Sequence, residues 1–155
     1  MTAFHHIGIT VSDTERALAF YAGVTGGAVT GPLVKSGPAV EAATGHAGAE
    51  ILLSFVRLAD GVMLELAEYR GIGERRIDPD TGHAGAAHPA IVVDDIEAGV
   101  ARAAHLGHRA LSEVMTATSG PMEGFRYVYV LGPDDVRVEL LEAPHGTTTA
   151  DVASG

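Results

Sequence analysis

Cysteine, tryptophan, asparagine and glutamine are all missing from this 155-residue chain, and Lys35 is its single lysine. Without cysteine there are no disulfides, thiolate metal sites or thiol nucleophiles, so His and carboxylates are the strong metal ligands that remain. Positive charge is scarce. Ten Lys plus Arg stand against twenty Asp plus Glu, a net charge of −10, and that field repels phosphate backbones and anionic membranes, so neither nucleic acid nor membrane is an expected partner. No window is long and apolar enough to span a bilayer, and Met1 to Phe4 lacks the basic patch and apolar stretch of a secretory signal. A cytoplasmic protein is the expectation. With 46% hydrophobic and 19% charged residues, the composition suits a folded globular chain and is far from that of a disordered one.

What the chain does have is a repeat. His6-Ile-Gly-Ile-Thr-Val-Ser-Asp13 returns as His88-Pro-Ala-Ile-Val-Val-Asp-Asp95, with the same His-to-Asp separation and with Ile9 and Val11 matched by Ile91 and Val93. Both segments read as short buried strands. Ser12 with Glu15, and Asp94 with Glu97, stand at the spacing of an N-cap and its third helical residue, so each copy turns from strand into helix. The first helix is expected to bury Ala17, Leu18, Tyr21 and Ala22, the second Ile96, Val100, Ala103 and Ala104, with Gly26 and Gly107 as stops.

Strand-like stretches follow at Ala28 to Val34, Ala49 to Leu58 and Val62 to Tyr69, then at Ala110 to Met115, Phe125 to Leu131 and Val136 to Glu142. Each half therefore reads βαβββ, an α+β chain. The last two strands of each half are joined by Ala59-Asp60-Gly61 and by Gly132-Pro133-Asp134-Asp135, the chemistry of hairpin turns. The expected division is a first module over 1–69, a connector over 70–87, a second module over 88–143 and a tail over 144–155. Ser36 to Gly48 and Thr116 to Gly124 read as long loops able to meet a substrate.

Superposing the halves places His6 on His88 and Glu65 on Glu139. Glu65 lies in Val-Met-Leu-Glu-Leu and Glu139 in Val-Arg-Val-Glu-Leu, each carboxylate among apolar neighbours that face a core and therefore in need of a partner. Any one of the four alone reads as an ordinary hydrogen-bonded side chain. Four in register across a duplication suggest two imidazoles and two carboxylates on one divalent metal, with Zn, Ni, Co, Mn or Fe all suited to that donor set.

These features, the two His-x-[Gly/Ala]-Ile-x-Val strands and the two closing Glu-Leu strands, resemble the vicinal oxygen chelate superfamily. That group includes glyoxalase I, methylmalonyl-CoA epimerase, extradiol dioxygenases, fosfomycin-resistance enzymes and bleomycin-binding proteins. The resemblance covers roughly residues 4 to 143. It implies two βαβββ modules pairing into a cup-shaped mixed sheet around a metal site, with His6, Glu65, His88 and Glu139 at the ligand positions. It also implies proton transfer next to a carbonyl through a metal-bound enediolate, with Glu139 and Glu65 as the catalytic carboxylates. The two-His, two-Glu set is similar to that of glyoxalase I. Methylmalonyl-CoA epimerases usually carry a glutamine that this chain cannot supply, and Thr10 stands where bacterial glyoxalase I commonly has an arginine for glutathione. A small-molecule substrate and a homodimer are implied. An Fe(II) dioxygenase and a metal-free sequestering protein are the alternatives.

Among the other polar residues, His5 is expected to point away from His6 on an alternating strand. Arg70, Arg75 and Arg76 read as a solvated loop able to meet a carboxylate or phosphate. Arg126 and Tyr127, on the strand before the last hairpin, are the candidate substrate contacts.

Overall fold

The computed structural model describes residues 2–73 and 76–147. They fall into two units that divide between Ile77 and Asp78. The first holds β1 (His6–Thr10), α1 (Thr14–Thr25), β2 (Ala28–Ser36), α2 (Pro38–Thr44), β3 (Glu50–Arg57) and β4 (Met63–Arg70). The second holds β5 (Ala90–Val92), α3 (Ile96–His105), β6 (Met115–Thr116), β7 (Arg126–Leu131) and β8 (Arg137–Glu142). Each unit builds a four-stranded mixed sheet, in the order β1-β4-β3-β2 in one and β5-β8-β7-β6 in the other. In both, the first strand runs parallel to the last and the remaining pairs are antiparallel. Among the described residues no helix is long and apolar enough to cross a membrane.

One face of each sheet is packed by its helix. In the first unit α1 buries Ala17, Phe20, Tyr21 and Val24 over Val56, Leu64 and Leu66; Leu18 and Ala22 are only partly buried, so the buried stripe is turned from the expected one by about a residue. In the second, α3 buries Ile96, Gly99 and Ala103. A side chain at Gly99 would come within 3.2 Å of Leu140 Cδ1, so glycine is what allows that close approach. Gly26 ends α1 in the left-handed region, donating its N–H to the Ala22 carbonyl.

The helix starts differ from the sequence reading by one residue. Asp13 and Asp95 are the N-caps, accepting from the N–H of Arg16 and of Ala98. The second anionic partner is not Glu15 or Glu97 but the end of the last strand: Glu68 accepts from the Thr14 N–H at 2.9 Å, and Glu142 from the Ile96 N–H at 2.8 Å. A carboxylate from β4 or β8 thus ties each helix to its sheet and balances the positive helix end.

Two further differences are local. The segment 36–48 contains α2, opened by Pro38, whose missing N–H costs nothing in the first turn. The stretch 110–115 pairs only in part, through an Ala110–Val130 bridge and the two residues of β6.

Candidate functional site

The face of each sheet away from its helix is where the repeated histidine and glutamate stand. In the first unit Gly8 is opposite Glu65 and His6 opposite Met63, so His6 and Glu65 are diagonal neighbours on one face. His6 Nε2 lies 3.9 Å from Glu65 Oε2. In the second unit Ala90 is opposite Glu139 and His88 precedes Ala90 by two residues, the same offset. His88 Nε2 lies 3.3 Å from Glu139 Oε2. Each unit therefore brings its own predicted pair together. All four side chains are partly open, at 40% and 23% exposure for the first pair and 32% and 18% for the second, which leaves them accessible to a small solute.

The surroundings of the two pairs differ. Across from Glu139 on β7 is Tyr129, whose hydroxyl is 3.3 Å from His88 Nε2 and whose ring meets His88 edge to face. Burial, then the charge of Glu139 and a hydrogen bond to it, push the Tyr129 hydroxyl above its ordinary pKa. Across from Glu65 on β3 is Phe55, so the equivalent hydroxyl is absent. Tyr129 was legible in principle: counting back from the Gly132 turn puts it opposite Glu139.

His5 does not point away from His6. Its Nδ1 is 2.7 Å from His6 Nδ1, and the rings meet edge to face. Strand β1 begins only at His6, so alternation does not reach His5. With its Nδ1 engaged by His5, His6 turns Nε2 toward Glu65, so the neighbouring ring fixes its orientation. A cleft of about 240 Å³ opens here, lined by His5, His6, Thr30, Phe55, Arg57, Met63 and Glu65. A larger one, about 630 Å³, lies by the far ends of β1 and β4, among Thr10, His46, Tyr69, Arg70 and Arg76.

Tyr127, two residues before Tyr129, shares its face with Glu139. Arg126 faces the other way, toward the helix. It bridges Glu142 at 2.9 Å and Glu97, and those hydrogen bonds raise its pKa. Asp95, Glu97 and Glu142 cluster at this point, and the guanidinium pairs with two of the three carboxylates, Glu97 and Glu142. Glu97 is held below its usual range by its bond to Arg126. Arg70 is bonded to Glu68 at 2.7 Å. Arg75 lies outside the described residues. His108 is buried, with Nδ1 2.9 Å from the Leu131 carbonyl oxygen.

Comparisons with known proteins bear on this arrangement. A family described as the Glyoxalase/Bleomycin resistance protein/Dioxygenase superfamily matches residues 3–140. A 2-epi-5-epi-valiolone epimerase of an Actinomyces species is 32% identical over 148 residues, spanning 93% of this chain and 81% of that protein. Among solved structures, a glyoxalase family protein of Bacillus cereus superposes with a TM-score of 0.78 at 19% identity, over 93% of this chain and 95% of that one. The trypanothione-dependent glyoxalase I of Leishmania major does so with a TM-score of 0.61 at 21% identity, over 92% and 87%. At such identities the structural likeness speaks for the fold.

Proposed function

The chain belongs to the glyoxalase/bleomycin resistance protein/dioxygenase superfamily, and we propose that within it the protein is a divalent-metal-dependent epimerase or isomerase of small ketones, moving a proton at a carbon next to a carbonyl. The observation that carries this reading is one His–Glu pair built twice at the same register, His6 with Glu65 and His88 with Glu139. The donors fit a divalent cation. Metal–nitrogen and metal–oxygen bonds of about 2.0–2.2 Å put neighbouring ligand atoms on the order of 3 Å apart, and the pairs stand at 3.3 and 3.9 Å. Imidazole and carboxylate without thiolate suit Zn, Ni, Co, Mn or Fe.

His6, Glu65, His88 and Glu139 would hold the ion, which when bound supplies Lewis-acid polarisation of a substrate carbonyl oxygen. The chain's own part is proton handling. Glu65 and Glu139 are partly open carboxylates with apolar strand neighbours, able to take a proton from carbon and give it back as general base and acid. Inversion of a stereocentre needs removal of a proton on one side and its return on the other, a task that two carboxylates can divide between them. The 32% identity to an epimerase supports this chemistry over a dioxygenase or a sequestering protein, and makes 2-epi-5-epi-valiolone the neutral ketone to set beside anionic ones in the test. A homodimer belongs to the same proposal. Val29, Leu33 and Val34, exposed on edge strand β2, offer apolar surface for one.

The test is metal analysis of the purified protein together with deuterium uptake from D2O into a panel of small hydroxy ketones, with 2-epi-5-epi-valiolone as the neutral member and phosphorylated and carboxylated ketones as the anionic ones, followed by NMR. About one divalent ion per chain and label at the carbon beside the carbonyl are expected, with exchange falling at least ~100-fold in Glu65→Gln or Glu139→Gln. Full exchange in both variants, or in metal-free protein, refutes the reading.

A further inference from the structure

Four arginines lie on strands. Arg70 is paired with Glu68, Arg126 with Glu97 and Glu142, and Arg137 with Asp80. The fourth, Arg57, has no carboxylate partner among the described residues and lines the cleft beside Glu65. Its position follows from the sheet. Arg57 is opposite Met63, which is opposite His6, while Phe55 is opposite Glu65 in the next row of the same face. Two residues along a strand advance about 6.6–6.8 Å, so Arg57 and Glu65 act on points that a small carbon chain or ring can span.

The second unit does not repeat this cation. Leu131 stands where Arg57 does, and the arginine opposite it, Arg137, is bound to Asp80. In a chain of net charge −10, the general field drives anions away. A guanidinium without a carboxylate partner, with the Thr30 hydroxyl and the His5 ring along the same cleft, is a local exception to that field and has the fork geometry that takes an oxyanion through two N–H bonds. At about 240 Å³ the cleft falls below the roughly 300–1,000 Å³ of drug-sized sites, which fits a small metabolite better than a large thiol or nucleotide cofactor.

We propose that this cleft is the substrate pocket and that Arg57 holds an anionic group, a phosphate ester or a carboxylate, on the ketone whose neighbouring carbon meets Glu65. The inference rests on the function proposed above and narrows its substrate to an anionic ketone. Arg57 is a specificity-determining residue in this account.

The experiment titrates inorganic phosphate, and acetate in a parallel arm, into metal-free protein while following backbone amides and the Arg57 Nε–H by NMR. Saturable shifts at Arg57 and Thr30 are expected. Apparent affinity should fall at least 10-fold in Arg57→Ala, recover in part in Arg57→Lys, and stay unchanged in Lys35→Ala, an exposed cation outside the cleft. The tighter of the two anions identifies the group. Shifts scattered away from the cleft, or equal affinity in Arg57→Ala and wild type, overturn the proposal. Because no metal or turnover enters this measurement, its failure leaves the metal and exchange assays standing, and a protein that binds phosphate here but no metal overturns only the enzymatic reading.

Discussion

Glu68 offers the sharpest test of how the first unit is held together. Its Oε2 accepts from the Thr14 N–H at 2.9 Å and from the Thr14 hydroxyl at 2.7 Å, and its Oε1 from Arg70 Nε at 2.7 Å. Thr14 is only 5% exposed, so Glu68→Ala strands two donors that water reaches poorly, at about 1–3 kcal/mol for each unsatisfied group. Arg70, about half exposed, is rehydrated, and its loss adds less than about 1 kcal/mol. Since the hydroxyl can rotate, the expected destabilisation is about 2–4 kcal/mol, with Glu68→Gln near half of that because one acceptor oxygen survives. Burial pushes the Glu68 carboxyl upward, but the hydrogen bonds from Thr14 and Arg70 outweigh it and hold the pKa below the ordinary glutamate value of 4.5. A depressed folded-state pKa contributes stability above the unfolded value and loses it as pH falls through the folded one. The gap between wild type and Glu68→Ala, read from urea unfolding by circular dichroism, should thus be full at pH 7 and shrink as pH drops below about 4.5. A gap under about 0.5 kcal/mol at pH 7, or one that ignores pH, refutes the account.

Other outcomes follow from the same geometry. Gly8→Ala should be neutral or stabilising by about 0.4–1 kcal/mol, because a Cβ there meets Glu65 Oε1 at an ordinary 3.6 Å and Ala90 already occupies the matching register; thermal denaturation checks it, and a large loss would show that the glycine is required. Tyr129→Phe removes the hydroxyl beside His88 and Glu139 and should weaken metal binding about 10-fold, the lower end for loss of a group that orients ligands. Calorimetry with Zn²⁺ or Ni²⁺ reads this directly, and unaltered affinity would remove Tyr129 from the site. Chelation of a metal-loaded sample should lower stability by about 2.7 kcal/mol when the ion had been at 100 times its Kd, with Glu65→Gln and Glu139→Gln each showing a smaller drop; identical melts with and without chelator would deny the ion a place in the folded protein.

The duplication was legible because strand, turn and helix signals recur in the same order, and a repeat constrains every element twice. Glu68 and Glu142 as helix partners were not, since they reach the helix start from more than forty positions away and local spacing nominated Glu15 and Glu97 instead. His5 was misplaced because alternation was extended past the end of β1. Arg126 and Tyr127 are adjacent, and only the sheet's pleat tells which of them shares a face with Glu139. The α2 helix was hidden in a Gly- and Ala-rich stretch whose one firm signal was a proline at its first turn.

Where the halves agree and where they part say different things. The cap aspartates, the strand carboxylates behind the helices and the His–Glu pairs are the same in both, and the first two of these are what any βαβββ unit needs to keep its helix on its sheet. Three departures lie on the open face, Phe55 against Tyr129, Met63 against Arg137 and Arg57 against Leu131. A structural requirement would have kept those positions alike, because the two sheets share strand order and register. Divergence there is what two halves would show after taking separate tasks, with Tyr129 steadying the second pair and the first pair opening onto a cleft with a guanidinium at its side. Exchanging the positions tests this. In the double variant Phe55→Tyr with Tyr129→Phe, metal affinity should stay below wild type despite an unchanged set of side chains, and recovery to the wild-type value would show that the two halves are interchangeable after all.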